Sequence, residues 1–225
     1  MIDYDSIIDK YQGIGLPYRD RSDDIRAIVL NLSRHIFYKD FKVVEYLVSQ
    51  YRRFKYINDI RVEGHNCIVD YDEGIVSFNV FPSYFFHNFC NDVFGFSDTY
   101  GQCHAVTQKI LESCRIDNIS AITSLCVNTN YLLYFHSYIL DRKENKVIDF
   151  SRRFSMDKDQ FDRLFCHKQI NDLNYYEYED MLINSNYSID SKLFPLLYLS
   201  LEKLEHDENF KNEHVKIRKN VKSLR

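Results

Sequence analysis

Residues 99–112 read Thr-Tyr-Gly-Gln-Cys-His-Ala-Val-Thr-Gln-Lys-Ile-Leu-Glu, and in this stretch a glycine turn is followed directly by a helical pattern. The apolar residues that recur at helical spacing after the turn are Ala105, Val106, Ile110, Leu111 and Cys114. This pattern predicts a helix that buries one face and carries Cys103 at its N-terminal tip. The unpaired N–H groups and partial positive charge of a helix N-terminus favour a thiolate, so Cys103 is a candidate nucleophile.

A candidate base and a candidate acid follow in the next β-like segments. Residues 131–140, Tyr-Leu-Leu-Tyr-Phe-His-Ser-Tyr-Ile-Leu, are rich in β-forming residues and include His136. The polar residues 141–145 predict a turn, and residues 146–150, Lys-Val-Ile-Asp-Phe, predict a short strand that pairs back as a hairpin. We expect this hairpin to set Asp149 beside His136.

The order of these three residues, a Cys that opens a helix, a His in one strand and an Asp in the next, resembles the papain-like and transglutaminase-like cysteine enzymes. The resemblance spans residues 101–151. It implies that Cys103 is the nucleophile, His136 the base and Asp149 the acid that orients the imidazole. It also implies attack on an acyl carbon without a cofactor. The chain has no Trp, which many transglutaminase-like sequences carry after the His and near the Asp, so the reaction type stays open.

Each member of this set has a rival. His104 is adjacent to Cys103, but consecutive helix residues do not face one another, so His136 is the favoured base and lining the cleft is an alternative role for His104. Asp141 is the rival acid, but it lies in the turn, where an Asp commonly bonds the local backbone. Asp149 is favoured because a carboxylate in an otherwise apolar strand needs a partner.

An acyl reaction also requires donors to the developing oxyanion. The backbone N–H of Cys103 is the predicted first donor because it lies at the helix N-terminus. A second donor is required, and the sequence leaves Gln102, Asn88 and Asn91 as alternatives for it.

The remaining cysteines and histidines favour neither a disulfide framework nor a metal site. The cysteines are scattered without a CxxC pair, which predicts reduced thiols. Apart from Cys103, five cysteines are predicted to be structural: Cys67, Cys90, Cys114, Cys126 and Cys166. A metal site is disfavoured because no two candidate histidines stand four residues apart on a helix. The candidate histidines are His87, His104, His136 and His167.

Composition limits the classes of partner. The chain has 225 residues, 45% hydrophobic and 28% charged, which is ordinary for one folded domain. Its net charge of -4 gives no general attraction to nucleic acid or anionic membranes, so neither is expected as a partner. A protein or peptide is the substrate that the resemblance to cysteine enzymes implies. The sequence shows no signal peptide and no stretch as long as a membrane span, which predicts a cytoplasmic location, with export without a cleaved signal left open.

The predicted fold class is α+β, with a central antiparallel sheet, the helix that carries Cys103, and flanking N- and C-terminal helices. We expect one domain over residues 1–210 and a basic tail, residues 211–225, available to contact a partner. Helices are predicted at about residues 3–12, 22–36, 41–54, 156–166, 175–183 and 192–204, with a short one inside 82–100. Strands are predicted at about residues 66–71, 75–81, 118–127, 131–140 and 146–150.

Three functions are consistent with these observations. The first is a thiol enzyme, such as a peptidase, a deamidase or a transglutaminase-like acyltransferase, that forms a thioester on Cys103. The second is a binding or adaptor protein that keeps the fold without turnover and uses its aromatic surface or basic tail. The third is an acyltransferase of the arylamine type, which is disfavoured because the sequence has no evident element for a nucleotide-containing donor.

Overall fold

The computed structural model of the chain has an α+β architecture built on one eight-stranded antiparallel sheet. It describes residues 3–95, 101–184 and 195–212. The strands are β1 (Ile57–Glu63), β2 (Asn66–Tyr71), β3 (Gly74–Val80), β4 (Ile119–Val127), β5 (Leu133–Asp141), β6 (Lys146–Asp149), β7 (Phe154–Asp157) and β8 (Cys166–Asn174). The helices are α1 (Tyr4–Tyr11), α2 (Arg21–Phe37), α3 (Phe41–Tyr51), α4 (Ser83–Phe94), α5 (Cys103–Ser113), α6 (Lys158–Phe165), α7 (Tyr175–Asn184) and α8 (Pro195–His206).

The strands lie in the order β1-β2-β3-β7-β6-β5-β4-β8, and every neighbouring pair is antiparallel. Strand β7 joins the group β1 to β3 to the group β4 to β6 by pairing with both β3 and β6. The hairpin predicted from sequence, β5–β6, is confirmed, and the predicted strands β2 and β3 also pair with each other. The central antiparallel sheet is therefore as expected, but it has three strands more than the sequence predicted.

Helices pack on both faces of the sheet, as strand β5 illustrates. Tyr138 and Leu140 point into a core shared with α2 and α6. The residue between them, Ile139, packs instead against α5. Successive side chains of a strand point to opposite faces, so α5 lies on the face opposite α2 and α6. Helices α1 and α8 cover the start of β5 on the same face as α5.

The sequence did not predict strand β1, and its irregular register explains why. The pairing of β1 with β2 shifts between Ile57 and Asp59, so the two most buried residues, Ile57 and Ile60, lie three apart rather than two. A spacing of three is typical of a helix, and the bulge therefore removes the alternation by which a strand is recognised.

The helix predicted at residues 156–166 is wrong at both ends. Its first two residues belong to β7, and α6 begins at Lys158, after Asp157 caps it by accepting from the N–H groups of Asp159 and Gln160 at 2.9 and 3.1 Å. Its last residue, Cys166, begins β8, which sequence reasoning missed. Strand β8 is largely polar, and its pairing with β4 rather than its hydrophobic pattern makes it a strand.

The other predicted helices are present, with shifted ends. The helix predicted within residues 82–100 is α4, and the part of the prediction that falls on residues 96–100 lies outside the described residues. The last helix begins at Pro195, and residues 192–194 of that prediction also lie outside them. So do residues 213–225 of the predicted tail, whereas Lys211 is described and pairs with Glu208 at 3.0 Å. In the parts of the chain that the structure describes, no helix combines the length and apolar character needed to cross a bilayer.

Candidate active site

A glycine turn delivers Cys103 to the first position of α5, as the sequence predicts. Gly101 has a φ of +74°, a left-handed conformation that a residue with a Cβ adopts only with strain. The first turn of α5 then closes with a hydrogen bond from the Val106 N–H to the Gln102 carbonyl at 2.9 Å. The N–H of Cys103 precedes this bond and has no partner within the helix. Cys103 itself is half-buried.

Apolar packing fixes α5 against the sheet. Val106 and Ile110 are buried and pack with Ile139 of β5 in one cluster, with Ile148 of β6 at its edge. These residues lie one and two helical turns beyond Cys103. The same contacts that bury the apolar face of α5 therefore hold Cys103 over the β5–β6 hairpin.

The hairpin brings His136 and Asp149 together. Strands β5 and β6 pair with Ile139 opposite Ile148, so Asp149 lies on the face of the sheet that His136 and Tyr138 share. The Nε2 of His136 lies 2.7 Å from Oδ2 of Asp149, and the two residues are 2% and 0% exposed. An ionised carboxylate only accepts, so Nε2 carries the proton and Nδ1 is the nitrogen left to meet the thiol.

The carboxylate of Asp149 is fully engaged in hydrogen bonds and ion pairs. Its Oδ1 accepts from the backbone N–H of Arg152 at 2.9 Å and from the Ser151 hydroxyl at 3.1 Å. Its Oδ2 lies 3.4 Å from Nη1 of Arg152 as well as near His136. Burial alone would raise the pKa of Asp149, but the charges of His136 and Arg152 and these hydrogen bonds lower it to about 2.

The thiol of Cys103 interacts with two histidines. Burial opposes ionisation, but Coulomb attraction and hydrogen bonding from His104 and His136 lower the pKa of Cys103 well below its ordinary value. Burial likewise opposes the charged form of His136, yet attraction to Asp149 and Cys103 outweighs both burial and repulsion from Arg152, and the pKa of His136 is raised. Opposite shifts of this kind favour a thiolate–imidazolium pair at neutral pH.

His104 interacts with Cys103 although consecutive helix residues do not usually face one another. In the first turn of α5 its ring reaches the thiol, and its Nδ1 lies 2.7 Å from the Ser137 hydroxyl. Ser137 in turn shares a hydrogen bond of 2.7 Å with Thr123. Adjacent side chains on a helix usually point in different directions. The orientation of His104 is set instead by its hydrogen bond to Ser137 of the neighbouring strand. The two hydroxyls form a buried chain that anchors the second histidine.

The other predicted site residues lie at the edge of the site or away from it. Asp141 accepts from the N–H groups of Lys143 and Glu144 at 2.9 and 3.1 Å, the local turn role that sequence reasoning gave it. The alternatives for the second oxyanion donor, Gln102, Asn88 and Asn91, are all exposed. Their role stays a prediction.

Three of the remaining cysteines have raised pKa values because they are buried. Burial raises the pKa of Cys67 to about 12 and that of Cys166 to about 11. Burial also raises the pKa of Cys126 well above its ordinary value. Cys103 therefore differs from these three in the direction of its shift.

Arg152 is the residue of this site that sequence reasoning missed. It follows Asp149 by three positions and is followed by Arg153, and two consecutive arginines after a strand are typical of a solvated turn. Its burial depends on Phe161 and Phe165 of α6, which meet it only in the folded chain. No local signal identifies it.

The candidate histidines do not gather into a metal site. Within residues 3–95, 101–184 and 195–212, no group of three or more His, Cys, Asp or Glu side chains is arranged to hold a metal ion. His104 is held by Ser137, His136 by Asp149, and His87 packs edge-on against Phe37 with 5.6 Å between ring centroids.

Comparison with protein-family models, with curated proteins and with solved structures finds no match to this chain. The resemblance to papain-like and transglutaminase-like enzymes accordingly depends on the residues of the site and on their order along the chain.

Proposed function

We propose that the chain is a thiol enzyme of the papain-like or transglutaminase-like type, acting on an amide or related acyl group of a protein or peptide through a thioester on Cys103. The observation that carries the proposal is the position of His136, which bonds Asp149 through Nε2 and interacts with Cys103. An imidazole oriented by a carboxylate beside a low-pKa thiol is the arrangement that nucleophilic acyl chemistry requires.

The reaction follows from the roles of these groups. The Cys103 thiolate attacks the acyl carbon, and the carbonyl electrons move to an oxyanion within reach of the Cys103 backbone N–H. The His136 imidazolium then gives its Nδ1 proton to the leaving nitrogen as the carbon–nitrogen bond breaks, which leaves a thioester and a neutral imidazole. Asp149 holds the ring in one tautomer throughout and is not itself protonated.

The thioester is resolved by the same groups in reverse. Neutral His136 takes a proton from water or an amine as this nucleophile attacks the thioester carbon, and the thiolate leaves. Water gives hydrolysis or deamidation, and an amine gives acyl transfer. The three outcomes differ in the second nucleophile and in whether a main-chain or a side-chain amide is attacked, so the residues of the site support the class and not one member of it.

An adaptor function without turnover is the second candidate, and exposed aromatic side chains on α4 favour it. Tyr84 and Phe85 are 68% and 70% exposed, far more than large aromatics usually are. The two candidates differ in one measurable property. An adaptor does not require Cys103 to react faster than other thiols, whereas the proposed enzyme does.

Acylation by p-nitrophenyl acetate at mildly acidic pH tests the proposal. We expect a burst of p-nitrophenol equal to one molecule per chain, with one acetyl group mapped to Cys103. The burst should disappear in Cys103→Ala and persist in Cys114→Ala, which removes the half-buried cysteine that follows the last turn of α5. Acetylation spread over several cysteines, or a burst that survives in Cys103→Ala, would support the adaptor.

A further inference from the structure

The Arg152 guanidinium is a buried cation placed behind the candidate acid. Its side chain is 9% exposed, and Nη1 lies 3.4 Å from Oδ2 of Asp149. The same oxygen lies 2.7 Å from Nε2 of His136. A protonated His136 and Arg152 therefore share one carboxylate oxygen. The two cations repel each other, so each reduces the net stabilisation that the other gains from Asp149.

The rest of the guanidinium is enclosed by aromatic side chains. Its Nη2 donates to the hydroxyl of Tyr134, and its Cζ lies 4.4 Å from the ring centroid of Phe165 and 5.4 Å from that of Phe161. Aromatic faces stabilise a guanidinium that has lost its water, and they fix its position. Arg152 is therefore a charge of defined location and not a mobile surface group.

Counting charges shows what this cation changes. With Arg152, the site is neutral when Cys103 and His136 are both uncharged, and it stays neutral when the proton passes from the thiol to the imidazole. Without it, Asp149 would leave the buried site at a charge of minus one in both states. The imidazolium would then be the main cation facing the carboxylate and would hold its proton more tightly.

We propose that Arg152 is a positioning residue that keeps Asp149 ionised while limiting the basicity of His136, so that the imidazolium can release its proton to the leaving group. The catalytic part of this inference rests on the proposed function, but the electrostatic part does not. The acylation step needs this limit, because a histidine that binds its proton too firmly forms the thiolate pair and then fails as an acid toward the leaving nitrogen.

The groups that face His136 define the balance. Asp149 and Cys103 favour the imidazolium, whereas the Arg152 charge opposes it. The rings of Tyr134 and Tyr138 flank the imidazole at 5.6 and 6.0 Å and are neutral, since burial raises the pKa of both hydroxyls. Arg152 is therefore the cation of this cluster that disfavours protonation of His136.

The titration of His136 tests the inference. NMR of the histidine Cε1–H signals, assigned with His136→Asn, is recorded in the Cys103→Ala protein so that neither thiolate nor turnover contributes. We expect Arg152→Met to raise the His136 pKa by about one unit or more, because an adjacent charge moves a pKa by that amount. Methionine keeps much of the apolar packing, and the backbone N–H that bonds Asp149 is retained.

Companion variants separate charge from structure. Arg152→Gln, a second neutral replacement, should raise the pKa as the Met variant does, and Arg152→Lys should restore most of the parent titration. Arg153→Met is the matched control and should leave it unchanged, because the Arg153 guanidinium bonds Tyr38 at 2.6 Å and stacks on Phe37. If either neutral variant folds and its His136 has the same pKa as in the parent protein, the inference is wrong.

The proposed function and this inference fail separately. The absence of p-nitrophenyl acetate acylation in the native protein would refute the enzyme and leave the His136 titration intact. An unchanged titration together with normal acylation would refute the role of Arg152 alone.

Discussion

The two ends of α5 each present a half-buried cysteine, and the side chains around the two thiols differ. Cys103 begins the helix beside His104 and His136. Cys114 follows the last turn, where its N–H bonds the Ile110 carbonyl at 2.8 Å and its side chain packs at the edge of an apolar cluster. Exposure is similar at the two ends, so exposure alone does not distinguish the cysteines.

Magnitudes show which difference matters most. The helix dipole favours an anion at the N-terminus by about 0.3–1 kcal/mol, which is less than one pKa unit. The pKa of Cys103 is lowered well below its ordinary value even though burial acts against this, and the attraction comes from His104 and His136. The helix N-terminus therefore determines mainly the position of the thiol, and the two histidines account for most of the lowering of its pKa.

The largest expected difference between the two ends is in alkylation rate. At pH 6 an ordinary thiol is about 0.3% thiolate, and the lower nucleophilicity of a low-pKa thiolate offsets part of the gain from full ionisation. We expect iodoacetamide to label Cys103 roughly 10–100-fold faster than Cys114 at this pH. His136→Ala should bring the two rates closer, as measured by peptide mapping over time. Equal rates in the unmodified protein would remove the distinction.

The pH dependence of the free energy of unfolding at low pH tests the role of Asp149, which orients His136 near Cys103. Asp149 has a folded pKa of about 2 against an ordinary 3.8, so its ionised form stabilises the fold above about pH 4, and this contribution is lost as the pH falls toward 2. The shift corresponds to about 2 kcal/mol. Urea unfolding at several pH values between 6 and 2.5 should therefore show a loss of this order.

A pair of Asp variants identifies the source of that loss. Asp149→Asn should be less stable at pH 6, because it disrupts a buried network, and should show a flatter dependence on acid. Asp141→Asn, in the hairpin turn, should keep the slope of the parent protein. An acid slope that is the same in Asp149→Asn as in the parent would show that the carboxylate is not held as the structure indicates.

The Cys103 end of α5 could be predicted from sequence because its determinants are local. Gly101 marks the turn, the apolar spacing marks the helix, and Asp149 stands out as a carboxylate in an apolar strand. The polar turn between β5 and β6 sets the hairpin register, and that register brings Asp149 to His136. Each inference needs only residues close in the chain or joined by a short turn.

What the sequence did not predict depends on distant contacts. The bulge in β1 gives its buried residues a helix-like spacing, and β8 is a strand because β4 pairs with it. Arg152 resembles a surface residue until α6 folds over it. Adjacent helix residues diverge in an isolated helix, but Ser137 of the neighbouring strand draws His104 toward the site. Tertiary contacts override the local rule in each case.

The smallest expected effect concerns that last contact. Ser137→Ala removes the hydroxyl that holds His104 and leaves His136 and Asp149 in place, so Cys103 should keep most of its reactivity. One hydrogen bond contributes about 1 kcal/mol net, so we expect Cys103 alkylation at pH 6 to slow roughly two- to fivefold, with Cys114 unaffected.

Ser124→Ala is the matched control for this variant. Ser124 lies opposite His136 on β4 and bonds the Tyr138 hydroxyl at 3.1 Å on the face of the sheet away from His104. Its removal also costs a buried hydrogen bond, but the Cys103 rate should not change. Equal slowing in both variants would mean that general loosening of the β4–β5 pair sets the rate. Slowing in Ser137→Ala alone would show that His104 influences the thiol through its bond to Ser137, and that the Cys103 end of α5 depends on side chains from both faces of β5.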